Sequence, residues 1–238
     1  MAVLKTLYDH AAAVYQRMVR YEDYQGNLLP ALAAIRPLAG LDVVECGAGT
    51  GRVTCLLLPH VWRIRAFDLS SGMLKVALDQ LQQTQTMHWT LAAADSRALP
   101  LPGGCADCVV EGWSFAQMVA WHRDTWRIET DQAVHEMRRV LRPEGTAILI
   151  ETLGTGRTTP QAPAAWMREF YDYLEAMHGF STTWLRTDYK FPSRAEADEL
   201  LRFFFKDEQT DAIMLAAQVE PDGACIVPEC TGLWYTSR

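Results

Sequence analysis

Leu41-Asp42-Val43-Val44-Glu45-Cys46-Gly47-Ala48-Gly49-Thr50-Gly51-Arg52 is the passage on which the architecture turns. An apolar run that stops at an acid and then at alternating glycines reads as a buried strand entering a sharp turn. Val53 to Leu58 continues as an apolar stretch, so the turn feeds a helix. Glycine removes the Cβ that would obstruct both the bend and a ligand's approach to backbone, and a helix start offers free N–H groups. Such a loop carries that meaning only between a strand and a helix, which is where this one lies.

Four further runs repeat the pattern downstream. Arg63-Ile64-Arg65-Ala66-Phe67 runs into Asp68, Met87 to Ala94 into Asp95, Asp107-Cys108-Val109-Val110 into Glu111, and Thr146-Ala147-Ile148-Leu149-Ile150 into Glu151. Met73, Leu74, Val76, Ala77 and Leu81 follow helical spacing behind Ser70 or Ser71 as N-cap. Ala133, Val134, Met137, Val140 and Leu141 do the same before a turn at Pro143-Glu144-Gly145. Alternating strands and helices predict parallel pairing through right-handed crossovers, hence a Rossmann-like α/β open sheet with helices on both faces. Ligands of such sheets bind at the carboxyl ends of the strands, where these acids fall.

Outside this core, residues 1–38 read as N-terminal helices, with Val3, Leu4, Leu7, Ala11, Val14 and Met18 at helical spacing. Residues 157–190 hold Trp166, Phe170, Tyr171, Tyr173, Phe180, Trp184 and Tyr189, read as an aromatic-rich helical insertion after strand 5. Ser193 to Phe205 carries a capping box, with Glu196 three residues after Ser193, and Ala224 to Thr236 is strand-like. The expectation is one domain over 1–238, a core of roughly 40–151 plus C-terminal strands, with 1–38 and 157–190 covering the site.

The 238 residues are 49% hydrophobic and 21% charged, an ordinary globular balance. A net charge of -7 disfavours a phosphate-backbone partner. Six cysteines are too few for a disulfide scaffold in a chain of this length. Cys105-Ala106-Asp107-Cys108 is a single pair at the start of a buried strand, so it reads as structural and no metal is expected. Met1 is not followed by a basic and then an apolar leader segment, and no apolar run is membrane-length. A cytoplasmic protein with a small-molecule substrate, and neither nucleic acid nor membrane as partner, is the expectation.

The dehydrogenase loop is Gly-x-Gly-x-x-Gly/Ala, with a small third residue for close helix packing. Here Arg52 occupies that place, against a nicotinamide dinucleotide. Asp68 can accept from ribose hydroxyls and serves either kind of cofactor.

Taken in order, Glu45-x-Gly-x-Gly-x-Gly, Asp68, Ala94-Asp95-Ser96 and Leu141-Arg142-Pro143-Glu144-Gly145 resemble class I S-adenosylmethionine-dependent methyltransferases, of the small-molecule, type 11-like kind. The resemblance covers roughly residues 40–151. It implies that Gly47, Ala48 and Gly49 pass under the methionine part of S-adenosyl-L-methionine and that Glu45 balances its ammonium. It further implies that Asp68 holds the ribose, Leu69 and Met73 flank adenine, and Asp95 accepts from the adenine amino group beside the Ser96 backbone. Acids suit a cofactor bearing a sulfonium and an ammonium and would repel a pyrophosphate.

Glu111-Gly112-Trp113-Ser114 follows strand four, beside the reactive methyl in this architecture. Glu111 reads as a carboxylate lining the cofactor pocket or capping the next helix, with a general base as the other reading. The Asn/Asp-Pro-Pro-aromatic run of DNA-amine methyltransferases is missing there. His122 and His178 are candidate bases, more in keeping with ordinary polar contacts. Trp166, Tyr171, Tyr173 and Trp184 read equally as pocket lining or packing. No residue is singled out as catalytic. The expected function is methyl transfer to a small-molecule nucleophile, the acceptor being unspecified. The alternatives are an S-adenosylmethionine-binding protein without transfer and an NAD(P)-binding oxidoreductase.

Overall fold

The computed structural model describes the backbone of residues 2–238 and side chains from residue 11 onward. Val3, Leu4 and Leu7 therefore lie outside the described side chains. The N-terminal segment forms α1 (Ala2–Val19) and α2 (Leu28–Ile35), joined by a turn in which Asp23 caps Asn27 and Leu28. The alternating core follows as β1 (Asp42–Cys46), α3 (Arg52–Leu57), β2 (Arg63–Asp68), α4 (Ser71–Leu81), β3 (Trp89–Ala93) and β4 (Ala106–Gly112). Then come α5 (Phe115–Trp121), α6 (Trp126–Val140), β5 (Leu141–Thr155), α7 (Ala165–His178) and β6 (Ser181–Arg186). The chain ends in β7 (Tyr189–Phe191), α8 (Arg194–Phe204), α9 (Asp207–Leu215), β8 (Gln218–Val219), β9 (Cys225–Val227) and β10 (Glu229–Ser237).

The main sheet has seven strands in the order β3-β2-β1-β4-β5-β10-β6. β1, β2, β3, β4 and β5 pair in parallel, and β10 runs antiparallel between β5 and β6. The α/β open sheet expected from the sequence is present. Its two faces are separately filled, because successive residues of a strand point to opposite sides. Val44, Cys46, Val109 and Leu149 pack with α5, α6 and α7 on one face. Val43, Val110, Ile148 and Ile150 pack with α2 and α3 on the other. Cys105 lies against the first cluster and Cys108 in the second, so that pair straddles the sheet. Among the described residues no group of His, Cys, Asp or Glu could hold a metal, and no helix is long and apolar enough to cross a membrane.

Several boundaries differ from the sequence reading. β5 begins at Leu141, and the Pro143-Glu144-Gly145 turn is a bulge inside it, with Glu144 at φ 64°. Arg142, from the same turn, bridges Asp107 at 2.7 Å and Asp42 at 3.0 Å, bolting β1, β4 and β5 at their amino ends. The 157–190 stretch divides. α7 packs Phe170, Tyr171 and Leu174 into the first core cluster, whereas β6 is the sheet's edge strand, with Trp184 46% exposed.

The layer at the carboxyl edge comes instead from residues 187–228. They leave the end of β6 and return at the start of β10, both at that edge, since Cys230 pairs with Arg186 and Glu229 with Thr155. Within this excursion a three-stranded sheet, β7-β9-β8, packs with α8, α9 and the end of α1 around Met18, Phe191, Leu200, Leu201 and Val227. Ser193 caps α8 by accepting from the Glu196 N–H, as the sequence pattern predicts.

Candidate functional site

β1 delivers its carboxyl end into the glycine turn. Gly47, Gly49 and Gly51 all have positive φ, at 73°, 53° and 88°, a region in which L side chains are strained. The turn is tied to β2, because Gly47 N and Ala48 N both donate to the Phe67 carbonyl, at 2.8 and 2.9 Å. Asp68 completes the tie by accepting from Gly49 N at 2.7 Å and from Ser70 N at 2.8 Å. A Cβ on Gly47 would sit 2.4 Å from Ser114 Cβ, so α5 packs directly on this glycine. A Cβ on Gly49 would meet nothing within 4 Å. The first glycine serves packing and the second leaves clearance.

Around the turn lies a crevice of about 20 Å³ lined by Glu45, Gly47, Ala48, Gly49, Trp113 and, from α1, Tyr15. That is room for one water. Glu45 is buried, accepts from Thr54 Oγ1 at 2.5 Å, and is pushed up to about 8 by burial, with Asp68 and Glu111 adding repulsion. Leaving the loop, Arg52 lays its guanidinium 4.0 Å over the Trp113 ring and pairs with Glu22 at 2.7 Å. Arg52 Nη2 is buried with no partner.

On the opposite sheet face, Glu111 ends β4. One of its oxygens accepts from Ser114 N, from Ser114 Oγ at 2.8 Å and from Phe115 N at 2.9 Å, which caps α5. Its other oxygen is buried and unpartnered. Burial pushes Glu111 up to about 7, against the pull of those donors. Glu151 accepts from Ala116 N at 2.8 Å and is likewise raised by burial and by Glu111 beside it. Glu229, at the start of β10, accepts from Thr152 Oγ1 at 2.6 Å and is pushed up to about 8 by burial. Four buried acids, on β1, β4, β5 and β10, thus gather toward one edge of the sheet.

The other expected residues fall around this centre. Leu69 follows Asp68 and is 52% exposed, whereas Met73 is buried on the inner face of α4, its N–H bonded to the Ser70 cap. Asp95 and Ser96 sit beyond β3, next to Asp68 through the Ala94 N–H to Asp68 carbonyl bond. Both Asp95 oxygens are engaged by Arg97, whose side chain also reaches Glu129 at 2.5 Å and which holds the Asp95 carboxyl below its ordinary range. His122 stands 3.8 Å from Glu129 in this cluster. α7 leaves the carboxyl edge and ends where β6 begins, so His178, paired with Asp131 at 2.9 Å, lies at the far end of the sheet. Tyr173 bonds Asp131 there, and Tyr171 stacks on Trp234 with its hydroxyl on the Thr152 carbonyl. These two aromatics pack. Tyr15, Glu22 and Glu229 carry no local sequence signature, and Arg52 is visible in the sequence only as a misfit to another loop.

The crevice suits an S-adenosylmethionine-type ligand on three observations: a glycine that presents open space, a buried acid on one side of the turn and an orphaned cationic donor on the other. Comparison with known proteins agrees. Residues 44–149 match the family described as a methyltransferase domain. A malonyl-[acyl-carrier protein] O-methyltransferase from Marinomonas is 29% identical over 163 residues, 67% of this chain and 54% of the relative. A ubiquinone/menaquinone biosynthesis C-methyltransferase from Rubrivivax gelatinosus is 29% identical over 136 residues, 57% of this chain and 46% of the relative. The chain therefore spans about half the length of these relatives. In fold it is similar to phosphoethanolamine N-methyltransferase 2 of Haemonchus contortus, solved with phosphomonomethylethanolamine and S-adenosylhomocysteine. The TM-score is 0.58 at 15% identity, covering 97% of this chain and 58% of that one.

Proposed function

We infer, from the match of residues 44–149 to a methyltransferase-domain family and from the geometry of the glycine turn, that this protein transfers a methyl group from S-adenosylmethionine to a small-molecule nucleophile. The observation that carries the reading is the glycine turn framed by buried Glu45 and by Asp68, which is itself bonded to Gly49 N. The cofactor supplies an electrophilic methyl on a sulfonium; the chain supplies binding, alignment and exclusion of water. Gly47, Ala48 and Gly49 would run beneath the amino-acid part, with Glu45 facing its ammonium. Asp68 would take the ribose hydroxyls. Leu69 and Met73 would border adenine, with Asp95 and Ser96 at its edge. Glu111 would line the floor while capping α5.

Excluding water at the strand ends falls to α1 and to residues 187–228, beyond the domain core. The net charge of -7 supports a small acceptor over nucleic acid, and six free cysteines support a reducing, cytoplasmic setting.

Isothermal titration with S-adenosylhomocysteine tests the first half, and saturable binding is expected. Asp68→Asn should weaken it about tenfold, the worth of one hydrogen bond to a charged group. An absence of heat with the wild-type protein would sink the reading. Product formed on a panel of O-, N- and C-nucleophiles tests the second half; binding with no product on any would leave a cofactor-binding protein.

A further inference from the structure

The cofactor reading occupies β1, β2 and β3 through Glu45, Asp68 and Asp95. It leaves the carboxyl edge over β4, β5 and β10 for the methyl acceptor, since ligands of an open sheet sit along that edge. Three buried acids stand there: Glu111, Glu151 and Glu229. Glu111 and Glu151 are spent on α5, accepting from the backbone N–H groups of Ser114, Phe115 and Ala116. Glu229 differs. One of its oxygens takes the Thr152 hydroxyl at 2.6 Å, and Oε2 is buried with no partner. Thr152 alternates with Ile148 and Ile150 along β5, as Glu45 does with Val43 along β1, and those apolar residues pack on one face of the sheet. Glu229 therefore lies on the Glu45 face, the side of the glycine crevice. Arg52, which lines the crevice, and Glu22, its partner, both act on the Glu229 charge, so Glu229 adjoins the crevice wall. The other charged or titratable groups around it are Tyr189 from β7, Tyr171 from α7, and Asp188, which pairs with Arg186 and takes the Glu229 backbone N–H at 2.9 Å. None of them bonds Oε2.

We propose that Glu229, through Oε2, is the base that takes the proton of a hydroxyl on the methyl acceptor, which makes the reaction an O-methyl transfer to a weakly acidic alcohol or phenol. The proposal rests on the reading of this protein as a methyltransferase. A buried carboxyl with one unbonded oxygen is costly unless a ligand completes it. A neutral amine attacks with its own lone pair and needs no base to begin, and an ionised acid has no proton to give. A hydroxyl needs one, and the O–H group fits the open position on Oε2. The acceptor oxygen forms its bond to the methyl carbon as the carbon–sulfur bond breaks and leaves its electron pair on sulfur. The hydroxyl proton passes to Oε2. The products are a methyl ether, S-adenosylhomocysteine and a neutral Glu229 carboxyl, which returns its proton to water when the site opens. Burial, with Glu22 adding repulsion, pushes Glu229 up to about 8, so its ionised form is a stronger base than a surface glutamate and is still populated near neutral pH. Thr152 holds the other oxygen and so aims Oε2.

Methyl transfer from S-adenosylmethionine to four probes, followed by mass spectrometry at about pH 8, tests this: phenol, 4-nitrophenol, aniline and acetylacetone. At that pH 4-nitrophenol is already ionised and phenol is not. Wild-type protein should form the methyl ethers of both phenols. Glu229→Gln should lose about 100-fold or more in kcat on phenol but stay within about threefold of wild type on 4-nitrophenol, which needs no base. Its affinity for S-adenosylhomocysteine, measured by calorimetry, should stay within about twofold. Thr152→Val keeps the acid and removes its anchor; it should show the same ordering with a loss of about tenfold on phenol, and it carries the test if Glu229→Gln does not fold. Equal losses on the two phenols would overturn the proposal, since they would mark a structural role. So would a Glu229→Gln protein as fast as wild type on phenol, or a wild type that methylates only aniline or acetylacetone, or none of the four. Failure of the underlying reading looks different: wild type would then bind no S-adenosylhomocysteine.

Discussion

At the carboxyl edge of the sheet, β1 and β2 turn straight back into α3 and α4, whereas β6 departs through residues 187–228 before β10 returns. Both regions bury acids there. In the first, Glu45 stands two residues before the glycine turn, and Asp68, 19 residues from Gly49, is tied to that turn by the Gly49 N–H. In the second, Glu229 is set by Thr152, 77 residues away, and by a small sheet whose strands meet only through long-range pairing. The difference separates a binding surface made by local backbone geometry from a roof made by tertiary assembly. Substitutions in the first should therefore hit ligand affinity, and those in the second should hit stability and closure.

The sharpest way to break this division is inside the glycine turn. Gly47→Ala places a Cβ at positive φ and 2.4 Å from Ser114 Cβ, so it should cost about 2–4 kcal/mol of stability and abolish measurable S-adenosylhomocysteine binding. Gly49→Ala shares the strained φ but meets no protein atom, and should cost only about 1–2 kcal/mol while still cutting affinity at least tenfold. Urea unfolding and calorimetry on the pair check both statements. Equal stability losses would show that α5 yields at Ser114 and that Gly47 is not a packing glycine.

The contrast between the regions explains what the sequence made legible. β1, its turn and the acids after β2, β3, β4 and β5 could be read because each signal lies within about ten residues. α8 was readable for the same reason, since Ser193 and Glu196 form its cap across one turn. The roof was hidden. β8 has two residues and β7 and β9 three each, too short for an alternation pattern to register. Pro228 divides the apparent tail strand into β9 and β10, which join different sheets. Trp184 looked like part of an aromatic cover because strand β6 is polar apart from it and Leu185. The Arg52–Glu22 pair joins positions 30 residues apart, and only folding α1 back over the turn brings them together.

A second prediction uses proton uptake to tell the regions apart. Burial raises Glu45 and Glu229 to about 8 and Glu111 to about 7, well above the unfolded value near 4.5. Between those limits the native state binds more protons than the unfolded chain, so stability falls with rising pH. It is fully present below about pH 4.5 and is lost on passing through 7 to 8, at up to about 1.4 kcal/mol per unit for each group. Glu45→Gln and Glu229→Gln should each flatten the fall in melting temperature between pH 5 and 8. S-adenosylhomocysteine affinity should drop only in Glu45→Gln, because only Glu45 lines the glycine crevice. Loss of affinity in both would merge the two regions into one site.

The smallest effect belongs to the rim. Leu69 and Met73 share an expected role beside adenine, yet Leu69 is 52% exposed and Met73 only 3%. Met73→Ala would open a cavity against the sheet and lower stability by about 2–5 kcal/mol, confounding any change in binding. Leu69→Ala removes a side chain that rests on little else, so stability should stay within about 0.5 kcal/mol. If the ring of the nucleoside lies on Leu69, covering it removes apolar surface from water, worth about 1 kcal/mol or a fivefold loss of S-adenosylhomocysteine affinity on truncation. The same truncation should weaken 5′-methylthioadenosine, which lacks the amino-acid portion, by the same factor, because both carry the adenine. Unequal factors would mean that Leu69 reports on the amino-acid end, and the two ends of the crevice would have to be assigned in reverse.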